Sequence, residues 1–272
     1  MTSIESNQLP YPPMEYRTLV GPTDERYFDN PYRVVIFPYI ANECFRAVFD
    51  FGCGCGRVAR QLALQKIAPE RYLGIDLHKG MIEWCQQNLT PKLPHYRFEH
   101  HNVYRVHMNK RLRKKITTLP FPAKDREFTL VNATSVFTHL VQDQAEFYHR
   151  EVARILAEDG VYHGTYFLVD RDDFPMMLGN QNALYLNLTD PSFAVIFSKN
   201  WIYEEAHRNG LKIIHAIAPA LRGGQWVIVM AHQSHPAPEV ELPESVNAPV
   251  ARYYEGEGTP LHPELKIIGL EK

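Results

Sequence analysis

The chain has 272 residues, 45% of them hydrophobic, and a formal net charge of −2. That is apolar material for one large α/β domain or two small ones, with no general attraction to nucleic acid or to an anionic membrane. Its four cysteines, Cys44, Cys53, Cys55 and Cys85, make no disulfide framework in a chain of this length, and no apolar run reaches the length of a membrane span.

Residues 1–46 read as an N-terminal cap segment. Pro10, Pro12, Pro13, Pro22 and Pro31 break regular structure there, and Tyr11, Tyr16, Tyr27, Phe28 and Tyr32 supply faces for packing on a larger domain. The opening "MTSIESNQLPYPPMEY" lacks the basic-then-apolar layout of a signal peptide, so a reduced, cytoplasmic setting is expected. "AVFDF" from residue 47 is a strand, and "GRVARQLALQ" a helix. "RYLGIDL" and "KGMIEWCQQNL" repeat the pair. "YRFEHHNV" and "FTLVNAT" are the third and fourth strands. "DQAEFYHREVARILAEDG" reads as a helix stopped by Gly160, and "VYHGTYFLV" as the fifth strand.

Residues 171–197 are loop-rich with apolar patches and read as a substrate-covering insertion. The alternation resumes with the helix "NWIYEEAHRNG" and the strands "LKIIHAIA" and "QWVIVMA". The short link between those strands, with Gly223 and Gly224, predicts a hairpin and hence an antiparallel last strand. The main domain is thus expected over 47–233, followed by a Pro- and Glu-rich tail over 234–272. Strands alternating with helices predict a parallel sheet covered on both faces.

The stretch "VFDFGCGCGR" places three glycines between a strand and a helix. Backbone N–H groups and a helix N-terminus at the carboxyl edge of such a sheet form a ligand site. The spacing discriminates among ligands. The dinucleotide pattern G-x-G-x-x-G is not met, which speaks against a nicotinamide dehydrogenase, and the phosphate-binding G-x-x-x-x-G-K-[ST] is absent. Here Asp50 precedes Gly52, Gly54 and Gly56. An acid before a tight loop suits a ligand with a cationic end and no pyrophosphate. Asp76, ending "LGID", can accept from both hydroxyls of a ribose. Cys53 and Cys55 form only a C-x-C, without further ligands at metal-site spacing, so no metal is expected.

With "YLGIDLHKGMI", "FTLVNATSVFTHL" and "EVARILAEDGVYHGTYFL", this loop resembles a class I S-adenosylmethionine-dependent methyltransferase of the small-molecule type, over residues 47–170 in motif and to about 233 in topology. The resemblance implies a doubly wound, Rossmann-like sheet of seven strands, mostly parallel with an antiparallel last strand. It implies S-adenosylmethionine as cofactor and S-adenosylhomocysteine as product. Asp50, Gly52, Cys53 and Gly54 would line the methionine part. Asp76 would hold the ribose, and Leu77 would pack near the adenine. Where the family often has an acid bonding the adenine amino group, this chain has Asn102, with Val103 supplying adjacent backbone. Asn132 and Ala133 would sit near the sulfonium.

His139, in "SVFTHL", faces the acceptor side in the resembled fold and can take a proton from an acceptor hydroxyl; capping or packing is the alternative role. His100 and His101 are adjacent on a strand and point to opposite faces, which argues against a shared metal. "NKRLRKK" over 109–115 is either a phosphate-contacting patch or, the preferred reading, a solvated face. "DNPY" (29–32) resembles the motif of amino-methylating enzymes but lies before the first strand, so Pro31 is read as a structural break. "DRDD" (170–173) either binds polar groups of the substrate or a divalent metal or, the preferred reading, is a run of solvated loop carboxylates.

The leading expectation is methyl transfer to a hydroxyl of a small molecule such as a sugar or natural product. The alternatives are an RNA or nucleotide methyltransferase using Lys110, Arg111, Arg113, Lys114 and Lys115, and a non-catalytic cofactor-binding regulator. Nucleic acid and membrane partners are not expected, and oligomeric state is left open.

Overall fold

The computed structural model describes residues 6–105, 109, 116–170, 182–187, 189–220 and 224–243. The first strand, β1 (Ala47–Phe51), is buried along its whole length, as expected of a strand covered on both faces. Parallel strands flank it: β2 (Arg71–Asp76) and then β3 (Tyr96–His100) on one side, β4 (Phe128–Ala133) on the other. β1 is therefore the switch point of the order 3-2-1-4-5, where the crevice outside the carboxyl ends of the strands opens.

The strand alternation sorts side chains between two cores. Val48, Tyr72, Phe98 and Leu130 pack with Ala59, Leu62, Ile82 and Cys85 of helices α2 (Arg57–Leu64) and α3 (Lys79–Asn88). Phe49, Ile75, Val131 and Tyr162 pack on the opposite face with Tyr148 and Val152 of α4 (Gln142–Ile155) and Trp201 and Ile202 of α5 (Lys199–Arg208). This is the doubly wound, mostly parallel arrangement.

Among the described residues the sheet has nine strands, two more than the predicted seven. β5 (Leu156–Val169) forks. Residues 161–166 pair antiparallel with β9 (Trp226–His232), which pairs antiparallel with β8 (Leu211–Ile217). Residues 167–169 pair with β7 (Val195–Ser198), which pairs with β6 (Ala183–Tyr185). The last strand is thus antiparallel, as its short connection predicts. The two extra strands fall in the expected loop 171–197, the second running one residue past its end. Their short apolar triplets bury Ala183, Val195 and Phe197, too little sequence for a periodicity to register.

Gly160 does not stop the third long helix. α4 ends at Ile155, and Leu156 is already extended (φ −71°, ψ 127°) and paired with Phe128. The polar Glu158 and Asp159 that follow are exposed, so nothing on the helix's apolar face carries it further. The register slips between Phe128 and Leu130, and Gly160 sits in that irregularity. The third strand likewise ends at His100, three residues early. Residues 110–115, 171–181 and 223, with the basic run, most of "DRDD" and Gly223, lie outside the described residues, as does the tail from 244.

The N-terminal segment carries one short helix, α1 (Met14–Leu19), and single 3-10 turns. Arg60 of α2, 1% exposed, fastens it by donating to Leu9 O at 2.9 Å and Ser6 O at 3.0 Å, with the Tyr11 ring 4.0 Å from its guanidinium carbon. The described start of the tail lies on α5 and β8: Tyr203 Oη donates to Val240 O at 3.3 Å, and Val240 N donates to Ile213 O at 2.9 Å.

Candidate active site

The glycine loop turns three times through backbone that side chains avoid. Gly52, Gly54 and Gly56 have φ of +78°, +55° and +82°, the left-handed region glycine enters without penalty. Space forbids substitution as well. A Cβ on Gly52 would lie 2.4 Å from Val136 Cγ2, and one on Gly54 2.7 Å from Val20 Cγ1. The bare backbone lets the loop pass under β4's outgoing segment on one side and the N-terminal segment on the other.

The loop is pinned to β2. Gly52 N and Cys53 N both donate to Ile75 O, at 2.8 and 3.0 Å. Gly54 N donates to Asp76 Oδ2 at 2.9 Å, and His78 N to Oδ1 at 2.7 Å. Each Asp76 oxygen keeps a further lone pair for a ligand hydroxyl. Burial raises the Asp76 pKa, and those two backbone donors pull it back.

Asp50 is buried and spends both oxygens on protein donors. Tyr72 Oη donates to Oδ2 at 2.5 Å and Asn132 Nδ2 to Oδ1 at 2.6 Å. Loss of water pushes its pKa up to about 6 against those bonds.

Over these groups lies a cavity of about 560 Å³, within the range of small-molecule sites. Asp50, Gly52, Cys53, Gly54, Asp76, Leu77, Val103, Asn132 and His139 all line it. Two predicted residues do not. Asn102 is exposed, faces away and accepts from Asn109 Nδ2 at 3.1 Å, because the chain leaves the sheet at His100 and turns there. Ala133 is buried in the core beneath the site, since its position on β4 points to the α4 face. Val103 N donates to His101 O at 2.8 Å. His101 itself is buried with its Nε2 2.8 Å from Tyr148 Oη, while His100 Nε2 lies 3.1 Å from Leu77 O, so the two rings go separate ways. No cluster of three or more metal-ligating side chains exists among the described residues.

His139 follows β4 on a single turn. Its Nδ1 lies 2.8 Å from Phe193 O and 3.2 Å from Ser192 O. Carbonyls only accept, so Nδ1 carries the proton and Nε2 is the ring's acceptor. Burial, then the nearby Arg105 charge, lowers its pKa and keeps it neutral.

Sequence reasoning missed several lining residues. Leu19, Val20 and Gly21 come from the N-terminal segment, Arg105 from the turn after β3, Asp190 and Ser192 from the insertion, and Gln225 from the start of β9. Arg57 had a signal. A basic residue opening a helix sits against the helix dipole. No hydrogen bond or ion pair among the described residues engages its guanidinium; burial lowers its pKa, and Asp50 is the main charge opposing that.

The donor set fits one ligand class throughout. A glycine cradle, a carboxylate with lone pairs free for a ribose, a buried carboxylate for an ammonium and a free arginine for a carboxylate together suit a nucleoside joined to an amino acid. Residues 49–163 match the family model described as a methyltransferase domain. That match is to a methyltransferase domain over part of the chain, and the lining residues present suit S-adenosylmethionine.

Among solved structures, YcgJ of Bacillus subtilis is 22% identical over 63% of this chain and 65% of its own, with a TM-score of 0.42. PH0226 of Pyrococcus horikoshii OT3 is 14% identical over 69% and 82%, with a TM-score of 0.45. NcsB1, an O-methyltransferase from neocarzinostatin biosynthesis solved with S-adenosylhomocysteine and 1,4-dihydroxy-2-naphthoic acid, is 13% identical over 72% and 52%, with a TM-score of 0.48. The chain thus spans under two thirds of YcgJ and about half of NcsB1. Among the described residues no helix is long and apolar enough to cross a membrane.

Proposed function

We propose that the protein methylates a hydroxyl group of a small, uncharged molecule. The observation that carries this reading is His139, a neutral imidazole on the cavity wall with its proton committed to two backbone carbonyls. Its Nε2 is then the acceptor for the hydroxyl proton of the substrate. When bound, the cofactor supplies an electrophilic methyl group on sulfur. Asp50, Asp76 and Arg57 hold its two ends, and the walls align the acceptor and exclude water. Alignment alone lowers such barriers by roughly 7–11 kcal/mol.

Charge supports a neutral acceptor. Among the described lining residues Asp50, Asp76 and Asp190 stand against Arg57 and Arg105. That leaves one net negative charge, and the cofactor brings one net positive charge. An anionic acceptor would unbalance the site, at a cost that burial in low dielectric magnifies.

The test is methyl transfer from isotope-labelled cofactor to a panel of sugars, phenols and hydroxylated natural products, with transfer RNA and nucleotides alongside. Label on a neutral hydroxyl compound supports the reading. Label on RNA overturns it in favour of a nucleic-acid substrate, and cofactor binding without transfer to any of them favours a non-catalytic regulator.

A further inference from the structure

Behind the methionine end of the site, Asp50 ends a buried chain of polar groups whose other members the proposed reaction does not use. Tyr39 Oη lies 2.9 Å from His163 Nε2, and His163 Nδ1 lies 2.8 Å from Asn132 Oδ1. Asn132 Nδ2 then donates to Asp50 Oδ1 at 2.6 Å, and Tyr72 Oη closes the chain on Oδ2 at 2.5 Å. His163 is 2% exposed on β5, stacked on Phe37 with ring centroids 4.2 Å apart.

The hydrogen positions follow by elimination. Asp50 can only accept when ionised, so Asn132 must turn its NH₂ toward it and its carbonyl toward His163. His163 must then carry its proton on Nδ1, which leaves Nε2 to accept from the Tyr39 hydroxyl. Burial lowers the His163 pKa to about 4, so this single tautomer holds across the neutral range. The groups facing Asp50 are Tyr72 and Asp76 from β2, Asn132 from β4 and Arg57 from α2. Those around His163 are Tyr39 and Phe37 from the N-terminal segment and Asn132 from β4; His215 of β8 stacks on Tyr39 at 5.0 Å.

We propose that His163, backed by Tyr39, is a positioning residue: it locks the Asn132 amide in the one orientation that donates to Asp50, and so sets the carboxylate that receives the cofactor's ammonium. Without it, among the described residues only Thr134 Oγ1, at 2.9 Å, restrains the Asn132 carbonyl. An amide free to turn presents its oxygen to Asp50; a carboxylate repels that oxygen, and a protonated acid donates to it. The chain also ties the N-terminal segment to the cofactor site through one hydroxyl. The proposal rests on Asp50 as the ammonium's partner.

The experiment is calorimetric titration with S-adenosylhomocysteine between pH 5 and 8, on the full chain and on His163→Phe, His163→Gln, Tyr39→Phe and Asp50→Asn. Melting curves run alongside. His163→Phe should weaken binding at pH 7.5 by on the order of tenfold, the scale of one bond to a charged group. It should also move the acid limb of the affinity profile to higher pH. His163→Gln, whose amide can still donate, should restore much of both. Tyr39→Phe keeps the stack and removes only a hydroxyl, so it shifts the limb less and decides the matter if His163→Phe does not fold. Asp50→Asn weakened, with His163→Phe and Tyr39→Phe both unshifted in pH profile, would overturn the proposal alone. Unchanged binding by Asp50→Asn would overturn the assignment of Asp50 itself.

Discussion

Asp76 accepts two backbone N–H groups and holds the glycine loop and the start of α3 in one place. Truncation removes both the loop's pin and the ribose acceptor. Asp76→Ala should therefore weaken S-adenosylhomocysteine binding by about 1.5–3 kcal/mol, measured calorimetrically; an unchanged affinity would remove Asp76 from the site. Asp50 makes a different prediction, because burial raises its pKa to about 6. It binds a proton more tightly folded than unfolded. From this group the unliganded fold is most stable below about pH 4 and loses that contribution as pH rises through about 6. Cofactor binding runs the other way, since an ammonium favours the carboxylate. Affinity should fall as pH drops below about 6, by at most about tenfold per unit, and Asp50→Asn should flatten that limb. Both acids are legible in the sequence because the glycine spacing and the strand ends locate them. Arg105, Asp190 and Gln225 are not. Each stands outside any motif and reaches the cavity only because a turn, an insertion and an antiparallel strand converge there.

At the scale of elements, the central strands are legible because burial on both faces makes "AVFDF" and "FTLVNA" nearly continuous apolar runs. The N-terminal segment is legible only as packing material. Its part in the site is the wall made by Leu19, Val20 and Gly21, with the Val20 methyl beside Gly54, and no sequence signature marks it. The Arg60 clamp explains how an irregular, proline-broken segment stays in place: its guanidinium answers the carbonyls of Leu9 and Ser6 and lies 3.8 Å from Asp29 Oδ1. Arg60→Met preserves the packing stem and deletes those bonds. Limited proteolysis should then cut within the N-terminal segment markedly faster while the sheet domain resists. The local loss is about 2–3 kcal/mol, on the scale of hydrogen bonds to a charged group. Wild-type cleavage rates would mean that aromatic packing alone holds the segment. His139 belongs to this scale too, since its tautomer is set by the insertion's carbonyls at Ser192 and Phe193. His139→Gln should lower kcat by about 10²–10⁴-fold with cofactor affinity nearly unchanged. Because burial lowers its pKa, the wild-type rate should rise with pH and level off at a lower pH than an ordinary imidazole would give.

Across the whole molecule, the cavity is walled by three parts distant in sequence: the N-terminal segment at 19–21, the strand ends of the sheet, and the insertion at 190–192 with Gln225. A ligand that touches all three stabilises the assembly and not one element. At a concentration 100 times its dissociation constant, S-adenosylhomocysteine should add about 2.7 kcal/mol to unfolding. At roughly 2–4 °C per kcal/mol for a domain of this size, the melting temperature rises by about 5–10 °C. The same addition should slow proteolysis of the N-terminal segment, because Val20 and Gly21 wall the ligand's space. Both effects should shrink together below pH 6, as Asp50 takes up its proton. A melting shift without protection of the segment would separate the two. The ligand would then be held by the sheet edge alone, and the N-terminal segment would be a cover fastened by Arg60 rather than a wall of the site.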